Sequence, residues 1–259
     1  MTGNYPATDI IEDLEPAADD HVVAAELAAA AGRRLLEIRS RIGYADAGVL
    51  RAAGDQGAQD LLASELTRLR PNDPVLSEEA RDDPARLDSS RVWIIDPLDG
   101  TREFSEEGRG DWAVHVALWV NGELEVGAVA LPGRGVTLAT PDVEAPQPAP
   151  ARVRMVVSRT RPAAEASRVA AALDAQLIPL GSAGAKVSAV VLGDADLYVH
   201  SGGQFEWDSA APVAVARAAG LHASRIDGSR LVYNRADPYL PDLLVCRMEL
   251  AEQVLAIIN

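Results

Sequence analysis

One cysteine stands among 259 residues, and aromatic side chains make up only 4% of them. The lone thiol, Cys246, has no partner, which excludes a disulfide within the chain. Within DLLVCRMEL it reads as a small buried apolar residue. Ligand pairs for zinc are missing as well: the four histidines, His21, His115, His200 and His222, are scattered without ligand spacing. His115, set in a strand pattern, reads as a satisfied core residue. The apolar runs are short and broken by charges, and the opening MTGNYPATDIIEDLEPAADD has neither a basic start nor an apolar stretch. No membrane span or secretory signal is therefore expected, and a cytoplasmic, reducing location is. Positive charge is scarce too, with 24 Lys plus Arg against 39 Asp plus Glu and a formal net charge of −15. Such a surface repels polyanions, which excludes nucleic acid and acidic membranes as partners while drawing in metal cations. A solvated acidic coat accounts for much of this charge equally well.

What is present suffices for a sizeable core, since 48% of the residues are hydrophobic, and one domain or two closely joined lobes are expected. Residues 1–20 read as a flexible acidic lead-in. The stretch DHVVAAELAAAAGRRLLEIRSRIG then reads as a helix with Val23, Leu27, Ala31, Leu35 and Ile38 on its apolar face, Asp20 at its start and Gly43 at its end. A second helix is expected after Asp55, carrying Leu62, Leu66 and Leu69 and stopped by Pro71. VWII is a buried strand ended by Asp96, and WAVHVALWV and ELEVGAVAL form a hairpin turned by Asn121-Gly122. GVTLAT is a candidate third strand. The proline-rich segment 141–152 is read as a linker between an α+β lobe (21–140) and an α/β lobe (153–259). In the second lobe strands and helices alternate: RMVVS, a helix opened by Pro162, AQLIPL, a helix from Ser182 to Gly193, ADLYVH and a helix from Asp208 to Gly220.

Carboxylates gather near the ends of these elements: Glu78-Glu79, the pair Asp96 and Asp99 in WIIDPLDGTREF, and Asp208 in EWDSAAP. Hard oxygen donors at such places suit Mg²⁺, which binds through a few carboxylates together with phosphate oxygens. Asp99-Gly100-Thr101 can form the mouth of a helix whose free N–H groups accept a phosphate oxygen from the other side. The combination points to metal-assisted hydrolysis of a phosphate ester. Plainer roles compete: Asp55 and Asp208 are placed as helix N-caps, and Glu78, Glu79, Asp82 and Asp83 could line a solvated loop. Two acids ending a buried strand are harder to explain that way, since buried charge requires a partner. A calcium loop beginning at Asp96 fails, because Leu98, Gly100 and Thr101 fall where acids and glycine belong. A D-x-D-G-T phosphatase of the haloacid-dehalogenase type needs acids two residues apart, whereas Asp96 and Asp99 are three apart, which changes where the side chains point.

In their order and separation, SEE, WIIDPLDGT and WDSAA resemble the inositol monophosphatase superfamily. DGTREF, EWDSAA and the loop GSAGAK are similar to its CysQ-type 3′(2′),5′-bisphosphate nucleotidase branch. The resemblance implies a layered αβαβα sandwich and Mg²⁺ dependence, with two or three ions and inhibition by Li⁺. It implies metal ligation by Glu78, Asp96, the Leu98 carbonyl, Asp99 and Asp208, and activation of the attacking water by Asp55 with Thr101. Gly100 and Thr101 would meet the phosphate, with Ser182 and Lys186 in the small-residue loop on the substrate side. The family's T-x-A-D around the catalytic Asp is here AAGD, and the inositol-binding Glu is replaced by Ser201, which argues against inositol as main substrate. Arg102 and Lys186 are reasonable partners for a second substrate phosphate, or else ordinary surface charges.

The expected activity is hydrolysis of the 3′-phosphate of adenosine 3′,5′-bisphosphate, and of its sulfated relative, in support of sulfate assimilation. A broad inositol-phosphate or fructose-1,6-bisphosphate phosphatase is the alternative within the same chemistry, and a noncatalytic metal or nucleotide sensor the alternative outside it. A homodimer is expected by analogy with the family.

Overall fold

The computed structural model describes residues 11, 14–147, 152–160 and 162–259. Most of the expected lead-in (1–10, 12 and 13) and residues 148–151 of the expected linker lie outside them. Residues 14–18 are tied down, with Arg68 donating to the Leu14 carbonyl and Arg70 to those of Pro16 and Ala18. Among the described residues, no helix is long and apolar enough to cross a membrane.

Helix α1 spans Asp20–Ile42, and all five residues of its expected apolar face are fully buried. Its cap is Asp19, one residue earlier than expected, accepting from the His21 amide at 2.8 Å. Helix α2 spans Ala47–Leu69 and departs further from expectation. It begins at the cap Asp46, whose carboxylate accepts from Gly48 and Val49, so Asp55 lies in its interior and caps nothing.

Both helices cover one face of a five-stranded sheet, ordered β1 (Val75–Ser77), β2 (Arg91–Asp99), β3 (Ala113–Val120), β4 (Glu123–Leu131) and β5 (Val136–Ala139). Asn121 and Gly122 take positive φ in the β3–β4 turn, as the hairpin requires. Strand alternation splits the sheet: Trp93, Ile95, Val114 and Val116 face α1 and α2, whereas Val92, Ile94, Ala113 and Ala117 face inward. The inward side packs on α5 (Ala183–Val191) and α6 (Glu206–Ala218).

Beyond those helices lies a second sheet, ordered β7 (Gln176–Leu180), β6 (Arg154–Ser158), β8 (Leu197–Phe205), β10 (Tyr239–Cys246) and β9 (His222–Ser224). Its far face packs on α4 (Ala164–Ala172) and α7 (Ala251–Ile258). The layers therefore run αβαβα, as expected. Cys246 is buried in the outermost of the three cores. The second sheet is mixed: β7, β6 and β8 are parallel, while β10 inserts antiparallel between β8 and β9. An ion cluster around the buried Asp196 pins it, Asp196 accepting from both Arg154 and Arg247.

Candidate active site

The strand carrying the first acids does not end at Asp96, as the sequence suggested, but continues to Asp99. Asp96 lies opposite His115 and Asp99 opposite Ala113, so three steps along β2 match two along β3. Pro97, which has no N–H to lose, sits in this bulge. In an unbroken strand, residues three apart would face opposite sides. The extra residue turns Asp99 back to the side that Val92, Ile94 and Asp96 share, facing α5 and α6.

Asp208 enters from α6, where it is the third residue of the helix and not its cap. Its Oδ2 accepts from the amide of Phe205, the residue that precedes the helix, at 2.6 Å. One carboxylate oxygen each from Asp96, Asp99 and Asp208 lies within 4.8 Å of the others. Glu78 is not part of this trio but faces it closely enough for the charges to couple. Burial first, then Asp208, Asp99, Glu79 and Asp55, push its carboxyl up to about 7. Burial and the charge of Asp99 push Asp208 up to about 7. Asp96, completely buried, is held well above the usual carboxylate range by desolvation and then by Asp99, Glu78 and Asp208.

Asp96 uses Oδ1 to accept from the Leu98 amide at 3.0 Å, and its buried Oδ2 has no hydrogen-bond partner. An unpartnered buried carboxylate oxygen facing two further carboxylates is the environment a hard divalent cation relieves. The residues present therefore fit such an ion. The Leu98 carbonyl also lies here, 3.2 Å from the Thr101 hydroxyl.

Thr101 begins the one-turn helix α3 (Thr101–Phe104), entered through Gly100 at φ 87°. Its hydroxyl lies in reach of both the Leu98 carbonyl and the Asp55 carboxylate, and its one proton serves one of them at a time. Burial and then Glu79 push Asp55 up to about 6, against the lowering effects of Thr101 and Arg51. The glycine of AAGD explains how α2 comes so near. A Cβ on Gly54 would lie 2.7 Å from Phe104 Cε1 and 3.0 Å from Leu98 Cδ2. Lacking one, α2 presses against α3 and brings Asp55 beside Thr101.

The opposite wall is the start of α5. The Ser182 hydroxyl donates to Asp99 Oδ2 at 2.5 Å, and the Ala183 and Gly184 amides add bonds of 3.2 and 2.6 Å to the same carboxylate. Lys186 reaches the site buried, its Nζ donating to the carbonyls of Gly181 and Ser182 and lying 5.2 Å from the centre of the Tyr198 ring. Desolvation lowers its pKa, opposed by Asp99 and Glu103. Arg102 lies exposed on α3. Ser201 donates its hydroxyl to Glu165 of α4 at 2.5 Å.

Two contributors were not legible as such. His115, read as a core residue, is fully buried but borders the trio: its Nδ1 donates to the Trp207 carbonyl at 3.0 Å, and its unpartnered Nε2 lies 3.3 Å from Asp99. Glu206, the first residue of the EWD motif and of α6, accepts from the amides of Asn234 and Arg235 and fixes that loop at the start of the helix. Its burial among loop amides could be read only once β10 and the preceding loop were placed.

The fold and this constellation define a class. The inositol monophosphatase family model matches residues 19–258, and the chain belongs to that family. Among its relatives, the 3′-phosphoadenosine 5′-phosphate phosphatase of Mycobacterium bovis is 54% identical over 237 residues, covering 88% of this chain and 89% of that protein. The 3′(2′),5′-bisphosphate nucleotidase CysQ of Escherichia coli K12 is 34% identical over 203 residues, covering 73% and 81%. Among solved structures, CysQ from Bacteroides thetaiotaomicron superposes with a TM-score of 0.74 at 26% identity, covering 88% of this chain and 97% of that one.

Proposed function

We propose that this chain is a Mg²⁺-dependent, Li⁺-inhibited phosphatase that removes the 3′-phosphate from 3′-phosphoadenosine 5′-phosphate, and from its sulfated relative, in the cytoplasm in support of sulfate assimilation. The observation that carries this reading is the convergence of Asp96, Asp99 and Asp208, with an unpartnered carboxylate oxygen among them, in a chain 54% identical to a protein of that name.

Asp96, Asp99 and Asp208, with Glu78 and the Leu98 carbonyl, would hold the divalent ions. Ions bound there supply the positive charge that offsets the phosphoryl oxygens and stabilises the leaving oxygen. Asp55 is the general base: a carboxylate pushed up to about 6 accepts a proton more readily than an ordinary one. Thr101 steers the attacking water by directing its hydroxyl between Asp55 and the site. The Gly100 and Thr101 amides, free of helical partners, meet the phosphate oxygens. Ser182 would line the path of the sugar, and Arg102 and Lys186 would meet a second phosphate.

The test is phosphate release from a panel of 3′-phosphoadenosine 5′-phosphate, inositol 1-phosphate and fructose 1,6-bisphosphate, with and without Mg²⁺ and Li⁺. The nucleotide is expected to be turned over fastest, only with Mg²⁺, and less with Li⁺ added. Faster turnover of the inositol or fructose ester would overturn the assignment.

A further inference from the structure

The chain has two phenylalanines. Phe104 is fully buried, yet Phe205 stands 43% exposed at the foot of α6, and Tyr239 beside it is 42% exposed. These rings contact one another. Phe205 stacks on Trp207 with centroids 4.8 Å apart and planes 12° from parallel, while Tyr239 meets Phe205 at 6.2 Å and 83°. The register of the second sheet sets the meeting, because Tyr239 of β10 is the cross-strand partner of Phe205 of β8.

Gly203 makes the upright ring's position possible. It takes φ +90°, and a Cβ there would collide with the Tyr239 hydroxyl and lie 2.5 Å from Cε2, so the ring rests directly on the backbone. A Cβ on the neighbouring Gly202 would meet nothing within 4 Å. The result is a corner of one flat ring and one upright ring. Its floor is bonded to the metal trio through a single peptide N–H, from Phe205 to Asp208 Oδ2 at 2.6 Å.

We propose that Phe205 and Tyr239 form a stacking platform for the nucleobase of the substrate, and so select nucleotides over base-free phosphate esters. This rests on the phosphatase reading above and names what that site recognises. A planar, uncharged heteroaromatic ring matches a two-walled aromatic corner, and stacking tolerates its polar edges remaining in water. Two rings are too small a footprint for a protein partner, which needs about 800 Å² on each side. A phosphate brought to Asp96, Asp99 and Asp208 by the cations they would hold would leave the rest of a nucleotide to extend past Asp208, whose carboxylate is bonded to the Phe205 amide, toward the rings.

The experiment compares kcat/KM for 3′-phosphoadenosine 5′-phosphate with that for the corresponding ribose bisphosphate lacking a base, in wild type, Phe205→Ala, Tyr239→Ala and Phe205→Trp. Thermal melts verify folding. Loss of one stacking ring corresponds to about tenfold. The nucleotide-to-abasic ratio is therefore expected to fall about tenfold in each alanine variant and to be retained in Phe205→Trp. An unchanged ratio in both alanine variants overturns the platform. A second readout, inhibition of p-nitrophenyl phosphate hydrolysis by AMP against ribose 5-phosphate, separates this inference from the function on which it rests. If wild type turns over no bisphosphate nucleotide, yet AMP outcompetes ribose 5-phosphate and loses that advantage in Phe205→Ala, the substrate assignment fails and the platform stands. If the nucleotide is the substrate but its base advantage survives both alanine changes, the platform fails alone.

Discussion

Asp55 and Asp96 both hold a proton more tightly than an ordinary carboxyl, and burial is the largest cause at each, but the secondary causes differ. Asp96 is surrounded by acids and has one oxygen with no partner, so a cation is what it lacks. Asp55 is acted on by Thr101 and Arg51 as well as by Glu79, so a proton is what it can exchange. On the proposed reading, this difference would divide the site into ligands and base. Asp55→Asn is therefore expected to lower kcat by about 10²–10⁴-fold, with Mg²⁺ binding by calorimetry largely intact. The wild-type rate should rise through a limb at or below about pH 6, since Asp55 must be ionised to act, and that limb should vanish in the variant. A variant that lost metal binding as completely as turnover would make Asp55 a ligand instead.

Among the elements, the bulged strand β2 and helix α2 do most to assemble the site. The acids themselves were readable from DPLDGT, because two carboxylates after a buried run require a counter-charge. The bulge that points them the same way was not readable: pairing register belongs to the partner strand, and nothing near Pro97 reports where His115 and Ala113 will lie. The start of α2 was misplaced for a related reason. Asp46 is followed by Ala47-Gly48 and Asp55 by Gln56-Gly57-Ala58, and propensity alone does not choose between the two as a helix start. Gly54, odd at the local level because glycine weakens a helix interior, makes sense only as a contact with Phe104 and Leu98. On propensity alone Gly54→Ala would gain about 1 kcal/mol. Overpacking costs about 1–3 kcal/mol, so with a Cβ 2.7 Å from Phe104 Cε1 a net loss is expected. Denaturant melts should show lower stability, and phosphate release a lower kcat as Asp55 moves from Thr101. A more stable, fully active variant would contradict this role for Gly54.

For the molecule as a whole, the five layers were implied by the family resemblance alone, whereas hydrophobic periodicity placed individual elements, with all five expected apolar positions of α1 in the core. The antiparallel insertion of β10 was missed because YLPDLLVC, interrupted by proline and aspartate, carries little alternation. Concentrating acids between α6 and the first sheet has a global cost when no cation is bound. Glu78 and Asp208 are pushed up to about 7 and Asp55 to about 6, above unfolded values of about 4. Acids raised in the folded state contribute stability at low pH that is lost as pH climbs from about 4 to about 7. The buried His115 and the partly exposed His222, both lowered by desolvation, work in the opposite direction, but below about pH 6.5, their unfolded value. In EDTA the melting temperature should consequently fall as pH rises from about 6.5 through about 7 and level off above that, and the increase produced by Mg²⁺ should be larger at pH 8 than at pH 5.5. An Mg²⁺ effect independent of pH would mean the ion binds away from these acids.

Anomalous diffraction from crystals soaked in Mn²⁺ locates such ions without reference to activity. The account predicts density bridging the carboxylates of Asp96, Asp99 and Asp208, with the Leu98 carbonyl and Glu78 among the ligands, and none there in Asp99→Ala. Mn²⁺ bound only at other acidic surfaces, with the trio bare at saturating metal, would contradict it.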